Sequence, residues 1–171
     1  MEKKPLSHLQ AGLLIAVVMI IIGLVSYLSG IYTQQWPGYA SYLLLCIMFI
    51  VAVVNYAKSK DGYVTFGQCF GWGFKTALMA TLFYLVYLVI FILIFPDFKD
   101  KLVQLTREGM EKKGLPDDQI ETAVTMMGKM FYLFMFLGTI FFFLVIGSIG
   151  SLLGGAFAKK KPVSPFDRQT A

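Results

Sequence analysis

The feature that most constrains this chain is a long stretch near its N-terminus that contains no charged residue. Between Lys4 and Lys58 there is no Asp, Glu, Lys or Arg. A helix needs about 20 apolar residues to cross the hydrocarbon core of a bilayer, so the stretch has room for two crossings. We predict transmembrane spans at about 9–31 and 39–57, joined at the membrane surface by a tight turn at 34–38 that contains a Pro-Gly pair.

Two further apolar stretches follow. One covers about 76–95 and comes after a segment rich in glycine and aromatic residues at 63–74, which we interpret as a helix lying in the membrane interface. The other covers about 130–157. Hydrophobic residues make up 57% of the 171 positions, above the roughly 45 to 50% of soluble domains. The predicted fold class is therefore an all-α membrane protein with four transmembrane helices, forming a single domain over 1–158.

The third and fourth spans are separated by the chain's only extended polar region, at 97–129. Apolar residues recur there at helical spacing in two segments, with Gly114 as a helix stop and Pro116 favoured in the first turn of the next helix. We expect an extramembrane helical hairpin whose second helix continues directly into the fourth span. The basic tail at 159–171 is predicted to be disordered.

The distribution of positive residues predicts the orientation in the membrane. The N-terminus, the middle loop and the C-terminus fall on one side and carry nine positive residues against three acids, a net charge of +6. The uncharged first loop and the hairpin at 97–129 fall on the other side, with six positive residues against seven acids, a net charge of −1. We therefore predict a bacterial inner-membrane protein with both termini in the cytoplasm and the hairpin in the periplasm. The nine positive residues are Lys3, Lys4, Lys58, Lys60, Lys75, Lys159, Lys160, Lys161 and Arg168.

No catalytic, cofactor-binding or metal-binding pattern is recognisable. Cys46 and Cys69 lack CxxC spacing, and His8 is the lone histidine, without the nucleophile and carboxylate that a catalytic base needs nearby. No ionisable residue lies centrally in any predicted span, where an ion-coupled transporter ordinarily has a carboxylate. Positive charges flank the apolar blocks, so nucleic acid is not an expected partner. We expect no enzymatic activity and no cofactor, and the lipid bilayer is the first partner.

Small residues at four-residue spacing mark one face of the fourth span. Such spacing lets helix backbones approach closely. Packing against another span of the same chain is the favoured interpretation, and a homodimer face is the alternative. The residues concerned are Gly147, Gly150, Ser151, Gly154 and Gly155.

Four methionines are spread along the hairpin. Thioether side chains occur both in ordinary cores and at adaptable binding surfaces. Core packing is the favoured explanation of these methionines, because each helix of a hairpin needs an apolar stripe. A groove that binds a partner is the more specific alternative. These candidates for a partner surface are Met110, Met126, Met127 and Met130.

Two functions remain open. The preferred one is a non-enzymatic structural or interaction protein that acts through the hairpin and the small-residue helix faces, by forming a homo-oligomer or binding another membrane protein. The alternative is a subunit of a small transporter or channel for a neutral or lipidic solute. That alternative needs its candidate ligand contacts, Asn55, Tyr84 and Tyr87, to converge on one cavity.

Two segments resemble a known family. They are Val64-Thr-Phe-Gly-Gln-Cys-Phe-Gly-Trp-Gly-Phe74 ahead of the third span, and Lys112-Lys-Gly-Leu-Pro-Asp-Asp-Gln-Ile120, with Met126 and Met127, ahead of the fourth. Together they resemble the bacterial membrane proteins grouped as domain of unknown function 4199, over nearly the whole chain. The resemblance implies a small four-pass membrane protein. Because that family has no assigned activity, the resemblance implies no function.

Overall fold

The structure, a computed structural model, describes residues 6–34 and 36–158. Within these residues every regular element is helical, and four of the helices are long and apolar enough to cross a membrane. The predicted all-α class with four candidate spans is thereby confirmed. The predicted disordered tail at 159–171 lies outside the described residues. The elements are α1 (His8–Leu28), a short 3-10 helix (Ile31–Thr33), α2 (Trp36–Ser59), α3 (Phe66–Ile94), α4 (Phe98–Glu111) and α5 (Asp117–Phe157).

The helices form two compact units. Among the described residues, the first unit covers 6–34, 36–84 and 141–158, and the second is Leu85–Ile140. In the first unit α1, α2, the first part of α3 and the last part of α5 surround the larger of two buried apolar clusters. That cluster consists of Ile15, Met19, Leu45, Phe49, Ala77, Ala80 and Phe143.

The first connection differs from the predicted one at both ends. α1 ends at Leu28 rather than near residue 31, because Gly30 adopts a φ of +72°, a left-handed conformation that stops a helix and favours glycine. α2 already begins at Trp36, so the predicted turn at the Pro-Gly pair was wrong. Proline is well tolerated in the first turn of a helix, where its missing N–H has no partner to lose. The carbonyl oxygen of Pro37 accepts a hydrogen bond from the Ser41 hydroxyl at 2.7 Å.

The segment at 63–74, interpreted as an interfacial helix ahead of the third span, contains the start of α3, which runs unbroken from Phe66 to Ile94. Its N-terminus is fixed by a capping box. The Gln68 backbone N–H donates to Thr65 Oγ1 at 3.2 Å, and the Thr65 backbone N–H donates to Gln68 Oε1 at 2.9 Å. Val64 and Cys69, which flank this box, belong to one buried cluster, as in a hydrophobic staple. The family-like segment therefore encodes a helix start.

The second unit combines the last part of α3, the amphipathic helix α4 and the first part of α5. The Phe98 ring lies edge-on to Phe91 at 5.1 Å and to Phe131 at 6.5 Å between ring centroids. Gly114 has a φ of +70°, and this left-handed conformation prevents the chain from continuing as a helix after α4, as expected. α5 then runs for 41 residues without a break. Its length of roughly 60 Å at 1.5 Å per residue is about twice the thickness of the hydrocarbon core.

The candidate spans expose most of their apolar surface. Only 17% to 28% of the residues in each apolar window are buried within the chain. A water-soluble protein rarely leaves such large apolar patches uncovered. Lipid is the solvent that suits this surface.

Candidate functional site

The small-residue face of α5 lies inside the first unit, against α2. A Cβ atom built on Gly150 would lie 2.7 Å from the Cβ of Phe49 and 2.9 Å from the carbonyl oxygen of Cys46. One built on Gly154 would lie 2.8 Å from the Cβ of Val53. Real Cβ atoms do not approach other atoms so closely. These glycines therefore let the backbone of α5 rest directly on α2.

The same face also contacts α3. A Cβ atom on Gly147 would lie 2.6 Å from that of Ala77, and one on Gly155 would lie 3.2 Å from the Phe66 ring. Ser151 is fully buried, and its hydroxyl donates to the carbonyl oxygen of Gly147 at 2.6 Å. All five small residues thus lie against helices of their own chain, which leaves this face no room for a second copy.

The closest approach on α3 occurs at Gly73, which belongs to no recognisable spacing pattern in the sequence. A Cβ atom on Gly73 would lie 2.7 Å from both Ser151 Cβ and Val53 Cγ2, whereas Gly67 and Gly71 have nothing within 4 Å. On α1, Gly12 is equally tight, with the Cβ of Met79 at 2.7 Å. Neither glycine could be identified from the sequence, because its tight contact depends on the helix that lies opposite.

The four hairpin methionines fall on different faces in the second unit. Met110 and Met127 are half-buried, while Met126 is 57% exposed and Met130 is 38% exposed. Ile120, at 2% exposed, marks the inward side of α5. The structure therefore divides the predicted set into two inward methionines and two outward ones.

A shallow groove, open to its surroundings, lies along the outward side of α5 in the second unit, and all the residues that line it belong to this one helix. We call its lining the α5 groove face. It combines two apolar side chains with acids at its N-terminal end and a lysine further along. Its residues are Asp118, Glu121, Thr122, Thr125, Met126, Lys129 and Met130.

The candidate ligand contacts of the first unit do not share a cavity. Asn55 lines a small crevice with Tyr56 and Trp72, whereas the Tyr84 ring lies 4.9 Å from that of Phe143, in the core. Twelve residues of α3 separate Trp72 from Tyr84, roughly 18 Å along a helix. Tyr87 belongs to the second unit, where its ring lies 5.7 Å from that of Phe91.

The buried hydroxyl groups are bound within their own helices. Thr76 Oγ1 donates to the carbonyl oxygen of Trp72 at 2.9 Å, and Thr81 Oγ1 donates to that of Ala77 at 2.8 Å. Within the described residues no buried side-chain N or O atom lacks a hydrogen-bond partner, and no group of three or more His, Cys, Asp or Glu side chains is arranged to hold a metal ion. The buried hydroxyl groups of Thr76 and Thr81 are thus satisfied locally, and the described core consists of apolar packing contacts.

Four long apolar helices with mostly lipid-accessible surfaces define a multi-pass helical membrane protein. Residues 10–160 match the family described as "Protein of unknown function (DUF4199)", and the chain belongs to that family. No curated protein and no solved structure matches the chain. The family membership agrees with the resemblance seen in the sequence.

Proposed function

We propose that this chain is a non-enzymatic interaction protein of the bacterial inner membrane, which binds another membrane protein through the α5 groove face. The observation that carries the proposal is the exposure of Met126 and Met130 on that face. On another side of the same helix, Ile120 is buried and supplies the inward apolar contact. α5 therefore has a second apolar patch beyond the one that its own unit uses.

The orientation predicted by the loop charges determines which solvent surrounds this patch. With both termini in the cytoplasm, the hairpin at 97–129 lies in the periplasm, where the exposed thioether of Met126 has no lipid to cover it. Met130 follows one turn later, at the start of the predicted fourth span. Methionine is flexible and polarisable, and is frequent at surfaces that adapt to a partner. An exposed apolar patch rimmed by polar residues is typical of protein interfaces.

The charges on the face favour a different protein over a second copy. Two copies in one membrane share one topology, so equal residues of a symmetric pair meet at the same depth. Glu121 would then face its own counterpart, and so would Lys129. Like charges placed opposite each other disfavour such a pairing. A partner helix with basic residues near Glu121 and an acid near Lys129 fits better.

The experiment is photo-crosslinking in native membranes, with a photoreactive amino acid at Thr125 of the full-length chain. We expect one discrete adduct with a second membrane protein. The charge reversal Lys129→Glu and the double variant Met126→Glu/Met130→Glu should each reduce it about tenfold.

The matched control places the same amino acid at Gln104, which is exposed on α4 of the same unit. No adduct is expected there. A Thr125 adduct that contains only this chain, or that survives all three substitutions, would contradict the proposal.

A further inference from the structure

A crevice of about 60 Å³ lies in the first unit, where three helices have their ends. Ala11 stands in the first turn of α1, Asn55 in the last turns of α2, and Trp72 in the second turn of α3. The indole of Trp72 stacks on the Tyr56 ring, with 4.7 Å between ring centroids and 9° between ring planes. Leu6 and Ala52 complete the lining.

The size of the crevice restricts its occupant. Pockets for drug-sized ligands are about 300 to 1,000 Å³, whereas 60 Å³ is the space of about two water molecules. A whole solute does not fit. A small polar group attached to a larger molecule outside the crevice does fit, and a phosphodiester is of that size.

The lining offers hydrogen-bond donors. The side-chain amide of Asn55 and the indole N–H of Trp72 have no hydrogen-bond partner among the described residues. Both are donors that suit an anionic oxygen. Asn55 is exposed at the edge of the crevice, and Trp72 is of the residue type that favours the headgroup level of a membrane.

Three basic residues lie about one helical turn from residues that line the crevice. His8, Lys58 and Lys75 are exposed, and each lies three positions along its helix from a lining residue, a spacing that makes side chains neighbours on a helix surface. Among the described residues of the first unit, Asp61 is the only acid. The surroundings of the crevice thus favour an anion at the depth of the lipid headgroups.

We propose that this crevice binds the phosphodiester of one anionic phospholipid, with Asn55 and Trp72 donating hydrogen bonds and Lys58 and Lys75 supplying charge. The acyl chains of that lipid lie along the exposed apolar surfaces of the helices. This site is independent of the α5 groove face, which belongs to the other unit.

The test is native mass spectrometry of the full chain released from nanodiscs that contain equal amounts of phosphatidylglycerol and phosphatidylcholine. We expect one retained phosphatidylglycerol per chain. Each lysine near an anionic headgroup contributes about fivefold in affinity, so Lys58→Gln/Lys75→Gln should reduce retention by about 25-fold. Asn55→Leu, which changes no charge, should reduce it by about tenfold, because it removes a hydrogen bond to a charged group.

The charge-matched control is Lys112→Gln/Lys113→Gln in the second unit, which should retain phosphatidylglycerol like the unmodified chain. Thermal unfolding in a zwitterionic detergent shows that each variant is folded before it is compared. Equal retention of phosphatidylcholine, equal loss in the two lysine pairs, or unchanged retention in Asn55→Leu would overturn the proposal. Displacement of the lipid by millimolar inorganic phosphate would also overturn it, since the crevice would then be a site for the free anion.

Discussion

Gly71 and Gly73 lie two residues apart on α3, yet only Gly73 occupies a position where no side chain fits. Two residues correspond to about 200° of rotation in an α-helix, so the two glycines point to nearly opposite sides. A Cβ atom on Gly73 would meet Ser151 of α5 and Val53 of α2, each with an atom at 2.7 Å, while Gly71 has nothing within 4 Å. The same residue type is essential at one position and replaceable at the other.

We predict that Gly73→Ala lowers the free energy of unfolding by about 1 to 3 kcal/mol, the usual effect of an extra methyl group in a well-packed core. Gly71→Ala, its matched control, should cause no loss. Thermal unfolding of both variants in the same detergent measures the difference. Equal stability of the two variants would show that the helices are not in contact at Gly73.

At the scale of single residues, the contact face of α5 could be predicted from the sequence, whereas the facing contact at Gly73 of α3 could not. The spacing of Gly147, Gly150 and Gly154 makes a recognisable pattern along one helix. Gly73 has no such pattern, because its importance comes from α5 and α2 lying opposite it. The pair that does match a spacing motif on α3, Gly67 and Gly71, lies in open space.

At the scale of whole elements, the start of α3 is set by local chemistry alone. Thr65 and Gln68 exchange side-chain and backbone hydrogen bonds, and α1 begins with the same arrangement at Ser7 and Gln10. A Ser or Thr followed three residues later by Gln is a readable signal for a helix start. Both starts were therefore present in the sequence, although the hydropathy pattern moved the predicted third span to a later position.

We predict that Thr65→Ala destabilises the protein by about 1 kcal/mol, because the Gln68 N–H loses its acceptor at the helix end. Thr65→Ser keeps a hydroxyl oxygen there and should retain the stability of the unmodified chain. Chemical unfolding monitored by the fluorescence of the two tryptophans, Trp36 and Trp72, measures both. A similar loss in Thr65→Ser would mean that the methyl group of the threonine, rather than the capping hydrogen bond, is what stabilises α3.

At the scale of the whole molecule, topology depends on charges that lie between the spans. In the predicted four-pass arrangement, the side with both termini carries a net charge of +6 and the side with the hairpin carries −1, a bias of the kind that orients membrane proteins. We predict that a cysteine replacing Lys113 reacts with a membrane-impermeant maleimide in intact cells. A cysteine replacing Lys60 should react only after the cytoplasmic membrane is permeabilised.

The background for this labelling carries Cys46→Ala and Cys69→Ala, so that the introduced thiol is the only one. Lys60 and Lys113 are both exposed, which makes them a matched pair for access to the reagent. The reverse labelling pattern would show that the topology is the opposite of the predicted one, with the α5 groove face in the cytoplasm.

The sequence by itself determined the class of protein, the number of candidate spans and the continuity of α5. These properties depend on the hydropathy and the breakers of consecutive residues, which act locally along the chain. Only the tertiary structure decided that Gly73 is tightly packed and that Met126 and Met130 face outward while Met127 faces inward. The physical reason is that such contacts depend on how each helix is rotated and shifted against its neighbours, and packing of all the helices together fixes that choice.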